Sequence, residues 1–305
     1  MNTRKKLQTI ARVLDSTQSE LSARLGVSLV TLNNWWNCKV DPRPKMQAKI
    51  DDLYREVTGQ KTVPAAELSV LKQALAKKSS KRRHVLRRIL DNPDIHDEFV
   101  LQLTYHSNSI EGNTLTQPDT AAILFDGLTM SNYTLVEHLE ARNHQAAFDF
   151  LLDHLAAGGP IDEDFVLRLH ARLMNGILRE AGRYRRHAVR LLGVPLPTAN
   201  PASVPQKIAA VIARAADPGG DVIAAATAVH AEFERIHPFA DGNGRVGRLL
   251  LAAMLLRADL PPAIIRREQK QLYYAFLYRA QTSDDQSALE RFFCEVVGGG
   301  FEILR

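Results

Sequence analysis

The stretch RIHPFADGNGRVGRLL, residues 235–250, interrupts a helical pattern with a proline and three glycines and then resumes it at once. Before it, DVIAAATAVHAEFERI carries Val222, Ala226, Val229, Phe233 and Ile236 at helical spacing. Pro238 has no amide to donate and disfavours helix at the residue before it, so this helix ends at or near His237. Gly242, Asn243 and Gly244 then lead into RVGRLLLAAMLL, a strongly apolar helix. A glycine-rich loop feeding a helix N-terminus gathers unpaired amides at the positive end of a dipole, which makes an anion site. Arg245 and Arg248, three residues apart, rise on one face of the first turn and can grip phosphate oxygens. Asp241 can hold a Mg²⁺ that bridges phosphate groups. The string GNGRVG at 242–247 also satisfies the dinucleotide pattern, but that fingerprint follows a β-strand and here a helix precedes it. A plain turn between two core helices would explain the glycines. It would not explain a His, an Asp and two Arg converging on one short loop.

Working outward, 305 residues are comfortable for two domains. The longest apolar run, LLLAAMLL at 249–256, falls far short of the ~20 residues a membrane span needs, so no membrane partner is expected. The N-terminus, MNTRKKLQTIARVLD, lacks the apolar segment of a secretory signal. Cys38 and Cys294 share no motif with each other or with histidines, which argues against a disulfide framework or a zinc site and fits a cytoplasmic location. Charge is unevenly spread. Residues 1–90 hold 19 Lys/Arg against 7 Asp/Glu, and residues 91–305 hold 20 against 27. The basic first third suits an anionic partner such as nucleic acid, or is a solvated basic linker.

The pattern is helical almost throughout, predicting an all-α chain. Expected helices lie at 95–110, 118–128, 134–156, 162–179, 205–215, 221–236, 245–258, 267–281 and 286–298. A linker is expected at 58–67, and eight Lys/Arg with no acid between Leu68 and Leu90 predict one basic-faced helix. Residues 188–203, rich in Pro, Gly and β-branched residues, read as an extended loop or small hairpin. The division is 1–60, 61–94 as a basic helical connector, and 95–305.

HPFADGNGRVGR resembles the signature of Fic proteins, HPFxxGNGRxxR, with every fixed position present, and the similarity extends over roughly residues 95–300. FVLRLHARLMNGI resembles the helix before the family's flap, and AGRYRRHAVRLLGVPLPTANPASVP the flap itself, a β-hairpin near 188–200 that clamps a target segment by strand pairing. The resemblance implies a helical Fic-type domain that transfers AMP from ATP to a Ser, Thr or Tyr hydroxyl of a target protein, the chain itself included. It implies His237 as general base, Asp241 as Mg²⁺ ligand, and Gly242, Asn243 and Gly244 as the cradle of the α- and β-phosphates. Arg245 and Arg248 would neutralise the departing pyrophosphate. Glycine at 244, where Doc-like relatives carry lysine, implies AMP transfer rather than phosphoryl transfer. Tyr273 and Tyr274 match a tyrosine pair that lines the nucleotide pocket in some members; read alone, QLYYAFLYRA is an aromatic core stripe.

SNSIEGN, residues 107–113, resembles the family's inhibitory motif, with Ser107 and Glu111 as its fixed members on one face of a helix near 104–113. The resemblance implies that Glu111 pairs with Arg248, withdrawing it from the γ-phosphate; a surface glutamate at a helix end is the plain alternative. Some relatives use this glutamate to remove AMP. In the first third, TQSELSARLGVSLVTLNNWWNCKVDPRP resembles the helix-turn-helix of phage-repressor-like regulators. That implies base contacts from Leu29, Val30 and Asn34 and phosphate contacts from Ser28, Thr31 and Lys39. Trp36 and Cys38 depart from the pattern, and a three-helix unit for protein docking or dimerisation is the alternative. Three readings stay open: an autoinhibited adenylyltransferase with a DNA-binding module, a transcription regulator whose second domain only senses nucleotide, and a toxin-like enzyme repressing its own operon. The resemblance leaves a homodimer open.

Overall fold

The computed structural model describes residues 1–190 and 196–305, and its regular structure is helical. In chain order the helices are α1 (Thr3–Val13), α2 (Gln18–Leu25), α3 (Leu29–Trp36), α4 (Pro44–Val57), α5 (Ala65–Lys81), α6 (Val85–Asp91), α7 (Pro93–Glu111) and α8 (Gln117–Phe125). They continue with α9 (Leu135–Ala156), α10 (Glu163–Leu173), α11 (Val204–Ala216), α12 (Val222–Ile236), α13 (Asn243–Arg257), α14 (Lys270–Thr282) and α15 (Ser287–Ile303). No helix among the described residues is long and apolar enough to cross a membrane.

Met1–Leu68 and Arg266–Phe292 form one compact unit. Thr17 and Glu20 start α2 with a reciprocal capping box: the hydroxyl accepts from the Glu20 amide at 3.2 Å, and the carboxylate accepts from the Thr17 amide at 2.8 Å. Gly26, at φ +72°, supplies the left-handed turn that ends α2. The Ser28 side chain caps α3 by accepting from the Thr31 amide at 3.1 Å. Leu7, Ile10, Leu21, Leu25, Leu32 and Ile50 close the core, and Leu272 of α14 packs against it. Residues 266–292, which the sequence pattern places with the C-terminal region, thus fold with the N-terminal helices. Short amphipathic helices need more apolar surface than four of them provide, and α14 supplies it.

Ser69–Ile265 and Phe293–Arg305 form the second unit. Its central element is α13, whose residues Leu249 to Leu256 are all buried and which packs on α7, α9, α10, α11 and α12. Several boundaries differ from expectation. The single basic helix across 68–90 is two, α5 and α6. The break falls at His84, in the left-handed region at φ +62°, and the His84 and Val85 amides donate to the Asp259 carboxylate at 3.0 and 2.7 Å. Helix α10 stops at Leu173 rather than 179, in a turn that takes Gly176 to φ +70°. Helix α13 starts at Asn243, two residues early, because Gly242 at φ +77° makes the turn. Helix α15 runs through Gly298, Gly299 and Gly300 to Ile303; a Cβ at Gly300 would overlap the Pro262 carbonyl, so glycine there serves close approach. Among the described residues of the expected flap there is one isolated bridge, Arg190 with Pro197, and residues 191–195 lie outside the described residues.

Leu32 is fully buried, and both tryptophans of the chain, Trp35 and Trp36, lie on its helix. Leu32→Ala is expected to destabilise the first unit by about 2–5 kcal/mol. Denaturant unfolding followed by tryptophan fluorescence checks it.

Candidate functional site

Pro238 ends α12 as its chemistry dictates, and His237 takes up the left-handed conformation at φ +54°, ψ +65°. That conformation costs a non-glycine residue about 1–2 kcal/mol, so surrounding contacts must hold it. Arg185 does so. Its backbone amide donates to the Pro238 carbonyl at 3.0 Å, and its guanidinium donates to the carbonyls of His237 at 2.7 Å and Ile236 at 3.2 Å. The same guanidinium reaches the carbonyls of His187 at 2.8 Å and Ala199 at 2.6 Å, tying both arms of the 188–200 segment to the end of α12. The side chain is 2% exposed.

The loop itself is closed from inside. Asn243 accepts from the Phe239 amide at 2.8 Å and donates to the Phe239 carbonyl at 3.0 Å. Its side chain therefore holds the loop, and what it can offer a phosphate is its main-chain N–H. Phe239 is fully buried and stacks on His170, rings 3.7 Å apart and 6° from parallel. Nδ1 of His170 accepts from the Gly182 amide at 2.8 Å, so Nε2 carries the proton and donates to the Asp241 carbonyl at 3.1 Å. Burial pushes this imidazole down to about 4 and keeps it neutral. Asp241 accepts from the Gly242 amide at 2.6 Å, and its side chain is 64% exposed.

No side chain caps α13, so its first amides are left for a ligand. Glu111 lies over this end, and a Cβ at Gly244 would overlap its carboxylate. The Glu111 carboxylate accepts from Nη2 of Arg248 at 2.6 Å. Ser107 completes the grip: its hydroxyl accepts from Nε of Arg248 at 2.9 Å, and its carbonyl from Nη2 at 3.1 Å. Gly112, at φ +108°, ends α7 directly after the glutamate. The contact that the sequence motif implies, Glu111 with Arg248, is present. Arg245 is placed differently from the expected phosphate grip. It is 2% exposed and its Nη1 donates to Glu140 of α9 at 2.7 Å. The other Glu140 oxygen accepts from the Asn113 side chain at 2.8 Å, so one carboxylate joins the start of α13 to the second residue past α7.

The electrostatics suit a base. Burial lowers the His237 imidazole below its ordinary value, which leaves it neutral near pH 7. Nδ1 of His237 lies 3.3 Å from the Glu234 carbonyl and 3.9 Å from the Glu234 carboxyl. Burial, and then the charge of Glu111, push that carboxyl up to about 8. Two uncharged groups meet here at neutral pH, not an ion pair.

His237, Asp241, Gly242, Asn243, Gly244, Arg245, Arg248, Ser107 and Glu111 are thus brought together in the second unit. Tyr273 and Tyr274 belong to the first, where Tyr273 is fully buried and stacks on Phe292 at 6.2 Å, as a core stripe would. Also in the first unit, Leu29 and Val30 are 42% and 70% exposed on the first turn of α3, and the Ser28 and Thr31 hydroxyls bond each other at 2.9 Å. Sequence reading missed Arg185, Glu140, His170 and Glu234. Only His170 left a signal, as a histidine on the apolar face formed by Phe165, Val166, Leu169 and Leu173.

Residues 160–255 match the Fic/DOC family. The protein adenylyltransferase Fic of Drosophila virilis is 32% identical over 189 residues, which cover 61% of this chain and 39% of that protein. The Drosophila melanogaster counterpart is also 32% identical and covered to 38%. The chain therefore spans well under half the length of these curated relatives. Among solved structures, Fic-1 (residues 134–508) of C. elegans superposes with a TM-score of 0.68 at 25% identity, covering 94% of this chain and 84% of that one. A Fic family protein of Desulfovibrio desulfuricans G20 gives 0.66 at 27% identity, with 79% and 74% covered. The Fic/DOC match contains the flap arms, His237 and the whole glycine loop, and omits Glu111.

The guanidinium of Arg185 touches both the end of α12 and the carbonyls of His187 and Ala199. Arg185→Ala is expected to speed amide hydrogen exchange in 236–243 and in 186–200 together, read by mass spectrometry.

Proposed function

We propose that this chain is a protein adenylyltransferase that moves AMP from ATP to a Ser, Thr or Tyr hydroxyl of a target protein, itself among the candidates. The observation that carries the reading is a neutral, strained His237 beside an uncapped helix N-terminus; the Fic/DOC match and the names of the relatives support it. The amides of Asn243 and Gly244 would receive the α- and β-phosphates, and that of Gly242, which the Asp241 carboxylate holds at 2.6 Å, would join them once that carboxylate turns to the metal. His237 takes the hydroxyl proton as the oxygen bonds to the α-phosphorus, and the bond to the β-phosphate oxygen breaks, releasing pyrophosphate. An exposed carboxylate with one backbone donor fits Mg²⁺, an ion that keeps most of its shell as water and phosphate, so Asp241 would hold it. When bound, Mg²⁺ supplies positive charge to the phosphates. Arg245 contributes fixed charge behind the loop, and Arg248 reaches the outer phosphates once Glu111 lets go. The 188–200 segment would clamp the target by strand pairing, with Arg185 tying its base to the site.

In this reading Glu111 is a brake. A carboxylate seated over Gly244 and paired with Arg248 competes with phosphate for the same donors. The same glutamate would position a water for removal of AMP, as it does in some relatives. With radiolabelled ATP, Glu111→Gly is expected to raise self-AMPylation. Adding His237→Ala is expected to lower transfer ~10²–10⁴-fold while nucleotide binding is retained. ATP binding with no transfer in Glu111→Gly would instead favour a nucleotide sensor.

The first unit supports a second activity, DNA binding, on one observation: Leu29 and Val30 stand exposed at the start of α3, behind a left-handed Gly26 turn. Asn34 and Lys39 follow on the same segment and would contact base and phosphate. Val30→Asp is expected to weaken duplex binding by about 1–3 kcal/mol, read by fluorescence anisotropy at fixed salt. Unchanged binding would favour the protein-docking alternative.

A further inference from the structure

Glu234 is a buried carboxyl that the transfer reaction above does not use. It lies on α12, three residues before His237, and is 7% exposed. Its Oε1 has no hydrogen-bond partner among the described residues. That oxygen occupies the space a side chain at residue 247 would fill, since a Cβ on Gly247 would come within 2.7 Å of it. The other oxygen, Oε2, faces Nδ1 of His237 at 3.9 Å, and the main-chain carbonyl of Glu234 faces the same nitrogen at 3.3 Å. An unpartnered carboxyl oxygen inside a protein lowers stability, so packing gives no reason for a glutamate here. The position of the group relative to the base does.

Resting on the AMP-transfer reading, we propose that Glu234 is a positioning residue for His237, holding Nδ1 toward the protein so that Nε2 is the nitrogen offered to the hydroxyl. The contacts divide the ring's two nitrogens unequally. Nδ1–H donates to the Glu234 main-chain carbonyl at 3.3 Å, and the Glu234 carboxyl stands beside it at 3.9 Å, beyond hydrogen-bond range, closing that side of the ring. A fixed proton on Nδ1 leaves the Nε2 lone pair free to act as base. The charge state of Glu234 matters as much as its place. An ionised carboxylate at this distance would favour imidazolium and pre-protonate the base; a neutral carboxyl orients the ring without charging it. The titratable and charged groups that face Glu234 are His230 and His237 on its own helix, Glu111 on α7 and Arg248 on α13. Burial and the Glu111 charge favour its neutral form, and Arg248 opposes them. Gly247 belongs to the same device. It stands at an unspecified position of the HPFxxGNGRxxR pattern, and its missing side chain is what admits the carboxyl.

The test uses the full chain without nucleotide, with ¹⁵N-labelled histidine and the His237 signals assigned by their loss in His237→Ala. Wild type is expected to show His237 as the Nδ1–H tautomer, and Glu234→Gln to keep it. Glu234→Ala, and Gly247→Ala, which crowds the carboxyl from the facing helix, are both expected to give mixed tautomers. In the Glu111→Gly background, the same two variants are expected to lower kcat about tenfold or more with KM for ATP changed less than about twofold. A His237 tautomer unmoved in Glu234→Ala and Gly247→Ala overturns the proposal; if Glu234→Ala fails to fold, Gly247→Ala decides. The spectra need no turnover, so they stand whether or not Glu111→Gly transfers AMP, and absence of transfer would overturn the enzymatic reading alone.

Discussion

A helix that starts on a glycine turn with no capping side chain presents its first amides to whatever anion can reach them. In α13 that constraint organises everything around it. Asn243, the first residue of the helix, is turned inward to close the loop on Phe239. Arg245 is neutralised from behind by Glu140. The anion that does reach the helix end is the carboxylate of Glu111, above Gly244 and paired with Arg248. The resting geometry thus already contains a negative charge where, in the proposed reaction, a phosphate would sit.

Glycines make the loop adaptable in isolation, yet three contacts remove that freedom. Arg185 collects the carbonyls of Ile236, His237 and Pro238; His170 stacks on Phe239 and bonds the Asp241 carbonyl; Asn243 spans the loop. In the proposed reaction, a base preorganised in this way would lose little on meeting its substrate. The strained backbone of His237 is stable only because these partners over-determine it. Two of them, Arg185 and His170, also reach Ala199 and Gly182, so the loop at His237 and the segment before α11 share supports.

Legibility in the sequence followed the range of the interaction. The end of α12 at His237 and the end of α7 at Gly112 are local consequences of proline and glycine and could be read from adjacent letters; the start of α13 was legible only to within two residues. The pairing of Glu111 with Arg248 was accessible only because both belong to a recognisable pattern. Where local and tertiary preferences competed, tertiary packing prevailed. The basic run at 68–90 bends at His84 because Asp259, far along the chain, caps α6. The triple glycine at 298–300 stays helical, and at Gly300 the Pro262 carbonyl comes so close that a side chain would not fit.

By itself, then, the sequence determined an all-helical chain, a helix broken at His237, and a glycine turn followed by two arginines, since each depends on the conformational limits of a few neighbouring residues. The tertiary structure alone decided which arginine is buried against Glu140 and which is held by Ser107 and Glu111. It also decided that residues 266–292 fold with the N-terminal helices, and that Arg185, His170 and Glu234 surround the loop. Those outcomes depend on which buried polar groups find partners tens of residues away, and that matching exists only once the helices have packed.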